Sequence, residues 1–205
     1  EDWKPVTLRQ LLTDTAGAPA NFPSKLWFHR PSPGAERMTA RRDEVLIVLG
    51  TPPAFPPGQK NAYSNVGITI AGAMAEKVTG TSWEDLVQRE VFEPLKLTGA
   101  GFGPPLSSDT FLEQPRGHLS RLTGKVALGD DADNSSIMGP SGSVHMTLND
   151  LCIYANDQLR GELGEGQLLS AESYKLLHRP ELNQYACGWI VDEPGRRIPS
   201  MAYWH

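Results

Sequence analysis

The chain has 205 residues, and 19 Lys and Arg against 24 Asp and Glu leave a formal net charge of -5 with no basic run, which excludes nucleic acid as a partner because phosphate neutralisation needs a basic face. Hydrophobic residues at 39% against 21% charged are enough for a buried core, and no stretch approaches the roughly 18 apolar residues of a membrane span. The 20 Gly and 17 Pro exceed average usage and predict long, shaped loops. Thr7-Leu-Arg-Gln10 has capping-box spacing and opens a short helix with Leu8, Leu11 and Leu12 on its apolar face, closed by Gly17 and Pro19. Residues 20 to 34 hold Pro23, Pro31 and Pro33 beside Phe22, Trp27 and Phe28, so they read as a loop packed by its aromatics. Thr39 to Leu49 reads as a helix burying Val45, Leu46, Val48 and Leu49, stopped by Gly50 and Pro52-Pro53.

The strongest periodic signal follows. Val66, Ile70, Met74 and Val78 recur every four residues, Ala71 and Ala75 widen the stripe, and Gly80 closes it. Ser64 or Asn65 is placed to cap this helix. Thr81-Ser-Trp-Glu84 repeats the capping-box spacing before a second apolar face of Trp83, Leu86, Val87 and Val91, ended by Pro94. Residues 99 to 146 show little periodicity and read as a long connection that is either functional or held against something outside the local pattern. Thr147 opens a helix through Leu151, Ala155 and Leu159 to Gly161, and Ser170 opens another ending near Pro180. Tyr185 to Val191 and Met201 to Trp204 read as strands joined by a turn at Glu193-Pro194-Gly195. Helices first and strands last indicate an α+β fold, and no composition break or repeat divides residues 1–205, which read as one unit.

Several chemistries lack their signs. His29, His118, His145, His178 and His205 are far apart, with no HExxH or CxxC, so no metal is called for. No GxGxxG or GxxxxGK[ST] supports a nucleotide, and no other cofactor is implied. Gly139-Pro-Ser141-Gly142 lacks the spacing of a GxSxG nucleophile elbow. Cys152 and Cys187 make no disulfide framework, and Cys152 reads as a buried small hydrophobe in its helix. The first ten residues carry no signal-peptide pattern, and a chain that opens on Glu1 reads as cut.

What remains is Pro57-Gly58-Gln-Lys60-Asn-Ala-Tyr63-Ser64-Asn65, a polar turn delivering Tyr63 to the start of the amphipathic helix. The run PGQKNAYSNVGITIAGAMAEKVTGTSWEDLVQREVFEPLKLTGAGFG resembles the second-motif region of the serine β-lactamase and penicillin-recognising hydrolase family, in its class C-like, esterase-like branch. VTLRQLLTDTAGAP resembles that family's TLRQLLTHTSGLP. GPSGSVHMTLNDLCIYANDQLRG resembles its Gly-rich loop and following helix, and YACGWIV with MAYWH resembles the strands leading to its third motif, often His-Thr-Gly. The similarity runs through nearly all 205 residues.

The resemblance implies a β-lactamase/transpeptidase-like α+β fold, its helical region packed on an antiparallel sheet that is incomplete in this chain. It implies a serine hydrolase of small esters, amides or β-lactams working through an acyl-serine, of carboxylesterase, β-lactamase or D-alanyl peptidase type, in an extracytoplasmic setting. Tyr63 is implied in proton transfer, Asn65 in holding substrate or the catalytic lysine, and His205 as the first residue of the third motif; Ser64 has no implied chemical role. A histidine there, less cationic than lysine, leans toward esterase. The chain departs from the pattern where it matters most, because it contains no Ser-x-x-Lys. Nucleophile, lysine and oxyanion hole are therefore expected outside these residues, and the 205-residue chain alone is expected to be inactive. A tyrosine hydroxyl also keeps its proton at neutral pH unless a cation sits beside it, and Lys60 reads as an exposed turn residue rather than that cation. Asp14-Thr15-Ala16-Gly17 replaces His-Thr-Ser-Gly, for which altered loop contacts are expected. The alternative is a catalytically inactive relative serving as a binding or scaffold module.

Overall fold

The structure is a computed structural model that describes residues 2–105, 114–115, 117–122, 124–129, 132–192 and 202–204. Helix α1 is Leu8–Leu12, and Thr7 and Gln10 close both halves of its capping box. After it, the expected loop contains one 3-10 turn, Ser24–Phe28, and buries Phe22 and Leu26. Helix α2 runs Ala35–Leu49, four residues earlier at its start than the sequence suggests. Helix α3 runs Asn65–Thr79. Ser64 is its N-cap, its hydroxyl accepting from Gly67 N–H at 2.8 Å, and Gly80 leaves it in the left-handed conformation with φ 69°.

Helix α4, Trp83–Val87, is capped by Ser82 rather than Thr81, because Ser82 Oγ receives the Asp85 amide. It passes through a π-type stretch, Gln88–Phe92, into α5, Glu93–Leu95. That widened turn lets Pro94 follow without the break its missing N–H predicts. The connection beyond is not featureless. Strand β1, Gly101–Phe102, pairs antiparallel with β4, Val144–His145; β2, His118–Arg121, and β3, Gly124–Ala127, form an exposed hairpin. Between them lie a 3-10 turn, Ser136–Met138, and the single turn α6, Gly139–Gly142. Helix α7, Leu148–Gly161, and helix α8, Ala171–Leu177, have the expected N-caps Thr147 and Ser170. Strand β5, Ile190–Asp192, pairs with β6, Ala202–Trp204, in the register Val191 to Tyr203. The strand expected from Tyr185 is reduced before Ile190 to single bridges, and the turn expected at 193–195 lies outside the described residues.

Two apolar clusters hold these pieces. One joins α1, α2, α3 and the Ser136–Met138 turn through Leu11, Phe22, Val45, Val66, Ile70 and Ile137. The other gathers Phe92, Leu95 and Leu97 with Phe102, Ile153 and Leu168. The faces that pack are not always the ones apolar spacing selects. Leu46, Met74, Val78, Leu151 and Leu159 are exposed, while Arg41, Glu76, Asp150 and Asp157 are buried. Cys152, expected inside, is exposed for the same reason, since α7 turns Asp150, Asp157 and Gln158 inward. Arg41 is wholly buried and holds α2 to its neighbours, donating to Glu76, to Glu84 Oε1 at 2.8 Å, and to the carbonyls of Ile137 and Ser136 at 2.9 and 3.0 Å. Helices α3 and α6 touch at backbone distance: a Cβ on Gly72 would lie 2.4 Å from Pro140 Cγ. Among the described residues, no helix is long and apolar enough to cross a membrane.

Candidate active site

Two peptide segments build the site. The first is residues 13 to 20, leaving α1; the second is residues 54 to 65, entering α3. They run together by backbone bonds from Ala54 N to Gly17 O, Gly58 N to Thr15 O, Ala62 N to Asp14 O and Asn65 N to Ala20 O, each 2.8–2.9 Å. Gly17, with φ 78°, is required at the tightest approach, where a Cβ would meet Phe55 O at 2.5 Å. The turn glycine of the altered Asp14-to-Gly17 loop is thus kept.

Tyr63 stands on this paired platform at the N-terminus of α3, 63% exposed. Its hydroxyl donates to Asn65 Oδ1 at 2.8 Å, and Asn65 Nδ2 donates to Asn21 Oδ1 at 2.7 Å. Tyr63 and Asn65 are therefore brought together, and Asn21, which sequence reasoning missed, completes a three-residue chain. Ser64 points the other way: buried, it donates to Pro19 O at 2.6 Å besides capping α3. It is thus the N-cap that the sequence offers for this helix. Lys60 is exposed and lies over the Phe55 ring, 4.6 Å from the centroid, a cation–π contact. His205 lies outside the described residues.

A second missed residue is Asp14. Its carboxylate Oδ1 accepts at 3.1 Å the amide of Ser64, the residue after Tyr63. Burial pushes this carboxyl up to about 6, although the Ser64 bond pulls it down. Tyr185 faces the same ground: burial, then the charges of Asp14 and Tyr63, push its phenol up to about 12. Neither was legible in local sequence, since the Asp14–Ser64 contact joins residues fifty apart. Among the described residues, no group of three or more His, Cys, Asp and Glu is placed to hold a metal. Gly139-Pro-Ser141-Gly142 is a helical turn whose Ser141 hydroxyl donates to Met138 O at 2.9 Å, not an exposed nucleophile elbow.

The family model described as Beta-lactamase matches residues 1–195. Penicillin-binding protein 4* of Bacillus subtilis (strain 168) is 24% identical over 218 residues, which take in 97% of this chain and 46% of that protein. Lovastatin esterase of Penicillium rubens is 31% identical over 145 residues, 70% of this chain and 34% of that protein. The crystal structure of a D-stereospecific amidohydrolase from Streptomyces sp. shares the fold, with a TM-score of 0.70 at 21% identity over 98% of this chain and 60% of that one. The chain spans about half the length of the curated relatives that match it along almost all of its own. With nearly every residue inside the family model and the helical and antiparallel parts in the arrangement of those neighbours, the chain belongs to the Beta-lactamase family and has its β-lactamase/transpeptidase-like α+β fold.

Proposed function

We propose that this chain is the Tyr63-bearing part of a serine hydrolase that cleaves a small ester or amide through an acyl-serine. The observation that carries the reading is the exposed Tyr63 hydroxyl, hydrogen-bonded to Asn65 at 2.8 Å at the head of α3, in a chain of the Beta-lactamase family. In the first half-reaction a serine Oγ bonds to the substrate carbonyl carbon and the bond to the leaving oxygen or nitrogen breaks. The serine proton passes by way of the Tyr63 hydroxyl to the leaving group. Water then attacks the acyl-serine, releasing the acid and restoring the serine. Asn65, its Oδ1 engaged by Tyr63, orients the substrate through its amide once Asn21 yields that donor. Relatives bearing the names of a penicillin-binding protein and an esterase support a small acyl substrate. Because no Ser-x-x-Lys occurs in these 205 residues, the nucleophile is assigned outside them.

The test is intact-mass analysis of the whole protein and of the 205-residue chain after treatment with a fluorophosphonate and with a penicillin. One adduct is expected on the whole protein, on a Ser-x-x-Lys serine, and none on the 205-residue chain. Tyr63→Phe should slow acylation about 100-fold or more. An adduct on a serine within these residues overturns the assignment of the nucleophile, and an unmodified whole protein identifies an inactive relative.

A further inference from the structure

Asp14 is 5% exposed and sits in the left-handed conformation, φ 57°, which Asp tolerates better than most residues. Two bonds leave it for the Tyr63 segment. Its carbonyl accepts the Ala62 amide at 2.8 Å and its carboxylate Oδ1 accepts the Ser64 amide at 3.1 Å. One residue thus grips the backbone on both sides of Tyr63. Its neighbours add to the hold: Asn61 Nδ2 donates to Thr13 O at 2.9 Å, and Ser64 Oγ donates to Pro19 O at 2.6 Å. Within this set only the Asp14 carboxylate can change charge in the range where proteins work. Tyr185, from the segment before β5, faces it, and Tyr63 in turn acts on Tyr185; Cys187 lies beside Tyr185, and beyond it Arg9 is paired with Glu181. No cation figures among the described groups acting on Asp14, and burial holds its carboxyl at about 6.

We propose that Asp14 is a positioning residue for Tyr63, its carbonyl and carboxylate clamping the two peptides that flank the tyrosine, so that the charge on Asp14 sets how firmly the Tyr63–Asn65 pair is held. A charged acceptor makes a bond roughly twice as strong as a neutral one, so the clamp tightens as the carboxyl loses its proton. The proposal rests on the hydrolase reading only in taking Tyr63 as the proton relay. It does not follow from the family pattern, where histidine occupies this position.

The clamp is tested by NMR on the 205-residue chain, labelled with 15N and with 13C at tyrosine Cζ and aspartate Cγ. The Ser64 amide proton should move with pH about a midpoint near 6, the Asp14 Cγ resonance should give the same midpoint, and Tyr63 Cζ should follow. In Asp14→Asn, which keeps an oxygen acceptor without the charge, Ser64 and Tyr63 should be flat over that range. A flat Ser64 amide in the wild type, or a Ser64 midpoint that differs from that of Asp14 Cγ, overturns the proposal whether or not the variant folds. A midpoint that survives in Asp14→Asn does the same. In the whole protein, the pH profile of kcat for a p-nitrophenyl ester should lose its limb near 6 in Asp14→Asn, with kcat down about tenfold and KM little changed. If no ester is hydrolysed while the NMR midpoints appear, the hydrolase reading fails and the clamp stands. If hydrolysis proceeds with a profile that Asp14→Asn leaves unchanged and Tyr63 Cζ does not follow Asp14, the clamp fails and the hydrolase reading stands.

Discussion

Asn21 accepts a hydrogen bond from Asn65 Nδ2 at 2.7 Å, and that bond decides which way the Asn65 amide faces. With Nδ2 held by Asn21, Oδ1 is turned to receive the Tyr63 hydroxyl at 2.8 Å. Asn21→Ala frees the amide to rotate and should lower kcat/KM for a p-nitrophenyl ester about tenfold, or ~1.4 kcal/mol of transition-state stabilisation. Because Asn21 is exposed, the unfolding midpoint should stay where it is. Wild-type kinetics in this variant would remove Asn21 from the site.

Buried Arg41 ties α2, α3, α4 and the Ser136–Met138 turn together. Arg41→Ala leaves buried Glu76 without its counter-charge and Glu84 with Arg37, 3.3 Å away, at a cost of about 3–5 kcal/mol. Arg41→Lys should recover little, since an ammonium cannot reach two carboxylates and two carbonyls at once. Urea unfolding of the three proteins measures this, and a loss under about 1 kcal/mol in Arg41→Ala would contradict it.

Stability should fall with rising pH in a window set by Asp14. Its carboxyl is raised from 3.8 to about 6 in the folded chain, so between those values the native state binds more protons than the unfolded state. Stability is therefore lost as pH rises through the window and is level above it. The loss from this group is roughly 3 kcal/mol at most. Glu76, pushed up first by burial despite its Arg41 partner, adds a slope of the same sign. The difference between wild type and Asp14→Asn isolates Asp14, and it should be visible in urea titrations at about pH 4, 5, 6 and 7. A difference that does not vary with pH would show that Asp14 is ordinary.

Tyr174 is locked into the base of α7. Its hydroxyl donates to Asp157 Oδ2 at 2.5 Å and accepts the Leu168 amide at 3.0 Å, and its ring lies where a Cβ on Gly161 or Gly166 would come, at 2.3 and 2.5 Å. Gly→Ala at a helix end normally stabilises by up to about 1 kcal/mol. Here Gly161→Ala should destabilise by about 1–3 kcal/mol, because the buried ring has nowhere to go. The sign of the change in thermal midpoint is the test.

Local signals were legible and long-range ones were not. Ser64 and Gly80 bound α3 where cap chemistry places them, and Thr7 with Gln10, Thr147 and Ser170 start their helices as expected. Tyr63 and Asn65 could be read because they are two residues apart and sit in a motif. Asn21 and Asp14 meet that motif from more than forty residues away, and no local pattern marks an Asn or Asp as such a partner. Apolar spacing misassigned Leu46, Met74, Val78 and Leu159 for a related reason. Once Arg41, Glu76, Glu84 and Asp157 find partners across elements, they occupy interior faces that periodicity reserves for hydrocarbon.

Gly72 is seven residues into α3, about 10 Å along the axis from the end that carries Tyr63. Pro140 rests against bare backbone there, closer than any side chain at position 72 would allow. Even a methyl group at that position would have to drive α3 and α6 apart, so a missing side chain sets the spacing between the helix that carries the tyrosine and the four-residue turn that sequence spacing rules out as a nucleophile.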